Sequence, residues 1–279
     1  MALAVPQLIL NLVDRYKYVT SLRDPRTVDW GWTENSKFML PLALGYLYAV
    51  RFGGRRWMEN RKPYKLKSAI MVYNLFQVIA NTFLFVQYTR HSYLGGDYNA
   101  FCQGVSYSRD NNTMTILRLV WWSLFVRIAD FLDTFFFVAT KKFSHITALH
   151  VIHHFLVIVN GWLWITFGSD GHVIMPVCFN CLVHVIMYGY YFLASLGPAV
   201  RKHLWWKKYL TSLQIFQMTF VSLYMCIPLV YDCGYPWGLS LILAPQLMLV
   251  LALFINFYVQ SYIFNKGREQ CNSQALKSD

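Results

Sequence analysis

Apolar residues run along this chain in seven long blocks, which short polar stretches separate. An α-helix needs roughly 20 apolar residues to cross the hydrocarbon core of a bilayer, and all the blocks except the short first one approach or exceed that length. The blocks cover residues 37–53, 68–88, 113–140, 146–167, 173–196, 209–230 and 239–264. The pattern predicts an all-α integral membrane protein with seven transmembrane helices.

The polar ends of the chain divide it into three parts. Residues 1–29 form an N-terminal segment, lumenal or lying on the membrane, and residues 266–279 form a polar tail. No linker or low-complexity stretch interrupts the region between them. Residues 30–265 are therefore predicted to be one membrane domain.

Composition supports this class of protein. Of 279 residues, 56% are hydrophobic, 18% aromatic and only 14% charged, far from the balance of a soluble domain. The net charge of +12 lies mainly in alternate connections and the tail, and Lys and Arg favour the cytosolic side. We therefore expect a lumenal N-terminus and a cytosolic C-terminus. No basic groove with stacking aromatics stands outside the membrane, so nucleic acid is not an expected partner.

Two features of the predicted lumenal loops fit this orientation. Cys102 and Cys233 fall in the second and sixth loops, where an oxidising compartment permits a disulfide. Asn111 begins an Asn-Asn-Thr sequon for glycosylation, a weak motif close to the next span.

Polar side chains inside three consecutive spans are the candidates for function, because such residues are costly in hydrocarbon. The sequence HVIHH places His150, His153 and His154 within about 100° of one another on a helix, so all three can face one cavity. The flanking spans carry polar stripes of their own. These stripes are Arg127, Asp130, Asp133 and Thr134 before the histidines, and Asn180, His184 and Tyr188 after them.

Structural roles compete with functional ones in these stripes. Opposite charges at the spacing of Arg127 and Asp130 can simply satisfy each other and hold helices together. Asn180 is as well suited to a hydrogen bond between helices as to a substrate. Three histidines within five residues of a membrane span are harder to explain by packing alone.

Clustered imidazoles suit either metal binding or covalent chemistry. Histidine is a common metal ligand, but the chain has only eight histidines and one histidine box, too few for a di-iron centre of the membrane desaturase type. No metal site or cofactor is therefore predicted. Histidine can instead accept an acyl group, while a neighbouring imidazole or carboxylate moves protons and stabilises charge.

Four motifs in order give the chain a family resemblance. RIADFLDT, HVIHH, NCLVHVIMYGYY and TSLQIFQ resemble the successive motifs of the ELO family, the very-long-chain fatty acid elongases of the endoplasmic reticulum. The resemblance extends over residues 30–264. It implies a helical barrel of six spans around a substrate tunnel, with the first helix peripheral.

The resemblance also implies an activity. Members of the family condense acyl-CoA with malonyl-CoA to give 3-ketoacyl-CoA, carbon dioxide and CoA, and need no cofactor. The implied partners are these two thioesters, the bilayer, and the ketoreductase, dehydratase and enoyl reductase of the elongation cycle. A second copy of the chain is also counted among the candidate partners.

Residue roles carry over by motif. The resemblance makes His153 the acyl-accepting nucleophile and His184 its partner on the next helix, with the other catalytic and substrate-binding positions supplied by the remaining motif residues. The further catalytic positions are His150, His154 and Asp133, and the substrate-binding positions are Arg127, Asp130, Thr134, Asn180, Tyr188 and Gln214. Arg127 and Asp130 stand where the family usually has Lys and Glu, and Ile152 where it usually has an aromatic residue.

Cations at the cytosolic mouth would hold the phosphates of CoA. The candidates are chosen because they lie on the predicted cytosolic side, and no motif identifies them. They are Lys207, Lys208 and Arg268, with Arg201 and Lys202 beside them. Two other classes of protein stay open as alternatives: a histidine-box di-iron lipid hydroxylase or desaturase, and a lipid transporter without catalysis.

Overall fold

A computed structural model describes residues 7–31, 36–95 and 98–264, and helix is the regular structure throughout them. The helices are α1 Gln7–Ser21, α2 Ser36–Tyr48, α3 Gly54–Met58, α4 Lys67–His91, α5 Asn111–Ala129, α6 Phe131–Ala139, α7 Ala148–Phe167, α8 Ile174–Leu196, α9 Pro198–Arg201, α10 Lys207–Tyr224, α11 Ile227–Val230 and α12 Trp237–Tyr258. Single π-helical segments continue α2 over Ala49–Gly53 and α12 over Val259–Phe264.

Five helical segments within the described residues are long and apolar enough to cross a membrane. They are Lys67–His91, Ala148–Phe167, Gly171–Leu196, Lys207–Val230 and Trp237–Phe264. Each coincides with a predicted span to within a few residues at either end. The predicted spans 37–53 and 113–140 are also mostly helical, but as membrane spans they stay predictions.

Two predicted spans are interrupted. In the span 113–140, the N–H of Asp130 donates to the carbonyls of both Val126 and Arg127 at 3.2 Å, which tightens the turn between α5 and α6. In the span 209–230, Pro228 cannot donate a hydrogen bond, and its ring would meet the carbonyl four residues earlier. That residue is Tyr224, where α10 ends.

The main core lies where α4, α5, α8, α10 and α12 meet. Tyr88, Ile116, Ile174, Met225 and Leu243 are fully buried there. Many large apolar side chains on the outer faces of the same helices are exposed, as lipid contact requires. The inward faces are therefore the ones that build the site.

A disulfide connects two loops at one end of the bundle. The sulfur atoms of Cys102 and Cys233, which are 131 residues apart in the chain, are bonded. We call this end, formed by the loops 98–110, 168–173 and 231–236, the disulfide end. Glycine is required where these loops touch, because a Cβ on Gly104 would lie 2.4 Å from the carbonyl oxygen of Cys233.

A buried ion cluster ties the N-terminal segment to the same end. Arg26 hydrogen-bonds Asp24 and Asp170, and all three side chains are fully buried. Burial opposes the charge of Arg26, but its bonds to the two carboxylates outweigh that effect and raise its pKa. Asp24 also donates its N–H to the carbonyl of Thr166 at the end of α7. Residues 24–27 are thus packed into the bundle.

Removing the disulfide is expected to destabilise the protein. Cys102→Ser should lower the free energy of unfolding by about 2–4 kcal/mol, because an open chain has more unfolded conformations. Thermal unfolding in detergent, without reductant, measures this. Cys226→Ser is the matched control, since Cys226 is a free cysteine whose Sγ donates to the carbonyl of Ser222 as a serine hydroxyl can. Equal stability of the two variants would contradict the prediction.

Candidate active site

The histidine box lies at the start of α7. Thr147 caps this helix, since its hydroxyl accepts a hydrogen bond from the N–H of His150 at 3.2 Å. The ring centroids of His150 and His154 are 4.3 Å apart, and those of His153 and His154 are 5.7 Å apart. His184 of α8 lies close enough to His153 and His154 for charges on these rings to interact. The structure thus brings together the four predicted histidines.

A cavity of about 100 Å³ lies inside the bundle beside these histidines. Side chains of α5, α7, α8, α10 and α12 line it, together with Tyr88 of α4. Most of its wall is apolar. Of the four histidines only His153 lines the cavity, along with Arg127 and Asn180. His153 is therefore the imidazole that a molecule in the cavity would meet.

Two carboxylates share hydrogen bonds behind the cavity. The Tyr188 hydroxyl lies 2.6 Å from Asp133 Oδ2 and 3.1 Å from Asp130 Oδ1. Tyr73 donates to Asp133 at 3.1 Å, and Gln77 donates to Asp130 at 2.7 Å. The network joins α4, the turn between α5 and α6, α6 itself and α8, so it fixes the positions of the helices that carry the site.

Arg127 balances part of this negative charge. Its guanidinium donates to Asp130 at 3.1 Å and to the side-chain oxygen of Asn81 on α4. The side chains of Arg127 and Asp130 are 9% and 5% exposed. Buried charges are tolerated only when they are paired in this way. Arg127 is the member of the pair that lines the cavity.

Thr134 connects the histidine box to α2. Its hydroxyl is 2.7 Å from Nε2 of His150 and 3.1 Å from the hydroxyl of Tyr46 on α2. Tyr46 also stacks on Phe131, with ring centroids 4.1 Å apart. Thr134, predicted to bind substrate, thus orients a histidine instead of lining the cavity.

The hydrogen bond of His184 defines its tautomer. Nδ1 lies 2.8 Å from the backbone carbonyl of Asn180, and a carbonyl can only accept. Nδ1 therefore carries a hydrogen, which leaves the lone pair of a neutral ring on Nε2. An imidazole in this state can take up a proton at Nε2.

Several predicted site residues lie away from the cavity. Gln214 contacts the sulfur of Met187 at 3.2 Å, while Gln217, one turn further along α10, lines the cavity. Lys207 and Lys208 begin α10 and are exposed. Arg268 is outside the described residues. Asn111 is the first residue of α5, and the hydroxyl of its sequon partner Thr113 donates to Asp110 at 2.7 Å.

The exposed cations of the other end define what we call the basic end. It comprises Arg51, Arg55, Arg56, Lys142, Arg201, Lys202, Lys207 and Lys208. His145, in the turn before α7, lies near this group. Burial lowers the pKa of His145, and the charges of Lys142 and Lys207 lower it further. Positive charge thus concentrates close to the start of the histidine-bearing helix.

The polar face of α4 is not among the polar stripes predicted from the sequence. Tyr73, Gln77 and Asn81 follow one another at intervals of four residues, as the stripe on α8 does. All three contact charged residues of α5, of α6 or of the turn between them. The same search for polar residues four apart would have found them, since four residues bring side chains back to one helix face.

The described part of the same region offers no ready-made metal site. Across residues 7–31, 36–95 and 98–264, no group of three or more His, Cys, Asp or Glu side chains is arranged to hold a metal ion. The four histidines pack against Tyr46, Phe137, Tyr188 and Phe254.

The fold and the site together define a class: a helical membrane protein with a histidine cluster beside an internal apolar cavity. Residues 32–270 match the model of the ELO family, described as the GNS1/SUR4 family. The chain belongs to the ELO family, which confirms the resemblance found in its motifs.

Three relatives show how far the similarity extends. A very long chain fatty acid elongase of Aedes aegypti is 38% identical over 271 residues, which are 97% of this chain and 76% of the relative. Very long chain fatty acid elongase 7 of Drosophila melanogaster is 37% identical, covering 90% and 77%. Very long chain fatty acid elongase 4 of Mus musculus is 33% identical, covering 90% and 80%.

Proposed function

We propose that this protein is the condensing enzyme of fatty acid elongation, a very-long-chain 3-oxoacyl-CoA synthase. Its relatives are named elongases. One observation supports assigning it the condensation step. His153 alone of the clustered histidines lines the apolar cavity, where an acyl chain would be sheltered from water. The activity joins a long-chain acyl-CoA to malonyl-CoA.

The first stage forms an acyl-enzyme. A ring nitrogen of His153 attacks the thioester carbon of the acyl-CoA, a C–N bond forms, and the C–S bond breaks. CoA leaves as the thiol, which carries the proton that the imidazole loses. Histidine is a competent nucleophile for acyl groups when it is neutral and correctly held. Among the described residues, none is hydrogen-bonded to the His153 imidazole, so its nitrogens are available.

The second stage makes the new carbon–carbon bond. Malonyl-CoA loses carbon dioxide, and the electron pair of the broken bond becomes an enolate. The enolate carbon attacks the acyl group, the C–N bond to His153 breaks, and the ring takes up a proton. The products are 3-ketoacyl-CoA and the free enzyme. Arg127, at the same cavity wall, supplies positive charge where the enolate develops.

The other histidines and carboxylates serve this reaction by position and proton transfer. His184 keeps Nε2 free to take up a proton, because Nδ1 is engaged with Asn180. His150 and His154 pack beside His153, and Asp133 holds Tyr188, which contacts the ring of His184. Asp130 compensates Arg127. No cofactor enters the proposed reaction.

The arrangement in the membrane is part of the proposal. Side chains of six helices, α4, α5, α7, α8, α10 and α12, line the cavity and α2 supplies none, which supports a six-span barrel with the first of seven spans outside it. The disulfide end would face the lumen of the endoplasmic reticulum and the basic end the cytosol. The ketoreductase, dehydratase and enoyl reductase of the cycle would take the product there.

The phosphates of CoA would bind at the basic end. Replacing both Lys207 and Lys208 with alanine is expected to raise the KM for acyl-CoA several-fold and leave kcat nearly unchanged, because these cations contact the part of the substrate that does not react. Steady-state kinetics at two salt concentrations measures this, since the wild-type KM should also rise with salt. A fall in kcat at constant KM would contradict the assignment.

Incubation of the purified protein with acyl-CoAs and labelled malonyl-CoA tests the function. Mass spectrometry should detect a labelled 3-ketoacyl-CoA, and an acyl adduct on the peptide that contains His153 when malonyl-CoA is withheld. Stoichiometric iron with neither product nor adduct would support a di-iron lipid hydroxylase or desaturase instead. Binding of lipid without turnover would indicate a transporter.

A further inference from the structure

Four side-chain amides interrupt the apolar wall of the cavity. Asn160, Asn180, Gln217 and Gln246 come from α7, α8, α10 and α12 respectively, so each of four helices contributes one. A hydrocarbon chain offers no hydrogen bond to any of them. Polar groups that face an apolar chain without a partner are costly, so their presence needs a reason.

Packing between helices does not supply that reason. The Oδ1 atom of Asn160 and the Oε1 atom of Gln246 are buried and have no hydrogen-bond partner among the described residues. Asn160 is 6% exposed and is one of the residues that line the cavity. An amide that served to connect helices would have a partner on another helix.

An unpartnered donor lies next to this acceptor. Trp164 also lines the cavity, and its indole Nε1 is buried without a hydrogen-bond partner in the described part of the chain. Trp164 follows Asn160 by four residues, so the two side chains are neighbours on one face of α7. One accepts and the other donates. A hydroxyl group placed between them would donate to Asn160 and accept from Trp164.

The position of this pair along α7 gives the position of the hydroxyl. Asn160 and Trp164 lie seven and eleven residues beyond His153 on the same face, or about 10 and 16 Å along the helix axis. An extended alkyl chain advances about 1.3 Å per carbon. If the acyl carbon, C1, is at His153, the pair lies about eight to twelve carbon–carbon steps further, beside roughly C9 to C13 of the chain.

We infer that the cavity accepts acyl chains that carry a mid-chain hydroxyl group, which Asn160 and Trp164 recognise. The inference rests on the proposed function, because His153 fixes the carboxyl end of the chain. It names a substrate class, hydroxylated long-chain acyl-CoA, and assigns specificity to two residues outside the motifs that relate the chain to its family.

The test compares isomers of one chain length. Stearoyl-CoA, its 2-hydroxy, 12-hydroxy and 18-hydroxy forms, and oleoyl-CoA are assayed for condensation with malonyl-CoA. Dissociation constants are measured for the matching CoA thioethers, which cannot transfer an acyl group. We expect the 12-hydroxy compound to show about tenfold higher kcat/KM and tenfold tighter binding than the unsubstituted one, the value of one well-made hydrogen bond.

Variants locate the effect. Asn160→Leu should bring the ratio between 12-hydroxy and unsubstituted chains to about one, and Trp164→Phe should lower it as well. Asn256→Leu is the matched control, because Asn256 is an exposed amide on α12 outside the cavity wall, and it should keep the wild-type ratio. If Asn160→Leu does not fold, Trp164→Phe gives the answer.

Two outcomes separate failure of this inference from failure of the proposed function. Condensation of all chains without preference for the 12-hydroxy isomer would overturn the inference and leave the proposed function intact; the amides would then hold water. No condensation of any chain would overturn the proposed function, and the thioether affinities would still decide whether the pair binds a hydroxyl.

Discussion

Replacing His153 with alanine is expected to lower the rate of 3-ketoacyl-CoA formation by about a thousandfold or more, the usual scale for loss of a covalent nucleophile. The reason is geometric: His153 is the histidine that reaches the cavity, and no other clustered imidazole can take its place from behind the wall. Product formation in detergent or liposomes, followed by mass spectrometry, measures the loss.

A second histidine controls for purification and handling. His203 is exposed in the connection before α10, and His203→Ala should retain wild-type activity. The His153 variant should also lose the acyl adduct while it still binds CoA thioethers, which shows that the site is intact. Full activity in His153→Ala would rule out the acyl-histidine mechanism.

Replacing Arg127 with leucine is expected to destabilise the protein by about 3–5 kcal/mol, because Asp130 would then carry an uncompensated charge inside the bundle. The side-chain oxygen of Asn81 would lose its donor as well. Thermal unfolding in detergent, read from the same preparation as the activity assay, measures the change.

Two comparisons identify the cause. Arg118 lies on the same helix but is exposed, so Arg118→Leu should unfold near the wild-type temperature. The double variant Arg127→Leu with Asp130→Leu removes both charges, and it should recover part of the lost stability. A double variant less stable than Arg127→Leu would mean that Asp130 depends on other partners, such as Gln77.

The membrane helices follow closely from the length of the apolar blocks. Lipid offers no hydrogen bonds to the backbone, so a chain segment that crosses it satisfies its own N–H and C=O groups by forming a helix. The interruptions are less visible. Pro228 could have signalled the end of α10, but nothing local in RIADFLDT requires the tight turn at Asp130. That turn follows from contacts with Gln77 and Tyr188, which are distant in the chain.

Which side chain of a helix face reaches the cavity could not be predicted from the sequence. Helix geometry places His150, His153 and His154 within one sector, but the neighbouring helices decide which of them reaches the cavity. Gln214 shows the same limit: one helical turn separates it from Gln217, and only the latter lines the cavity. Periodicity alone assigns residues to a helix face about 100° wide. Only part of such a face borders the cavity.

The disulfide between Cys102 and Cys233 gives the chain a closed covalent circuit, which contains the four clustered histidines. A single backbone cut within this circuit opens it without dividing the molecule. Lys142, exposed between α6 and α7, is one place where a protease could make such a cut. The nicked protein would keep its full mass on a non-reducing gel and separate into two fragments only after a thiol reductant is added. Backbone continuity through the histidine segment is therefore not required to keep the site in one molecule.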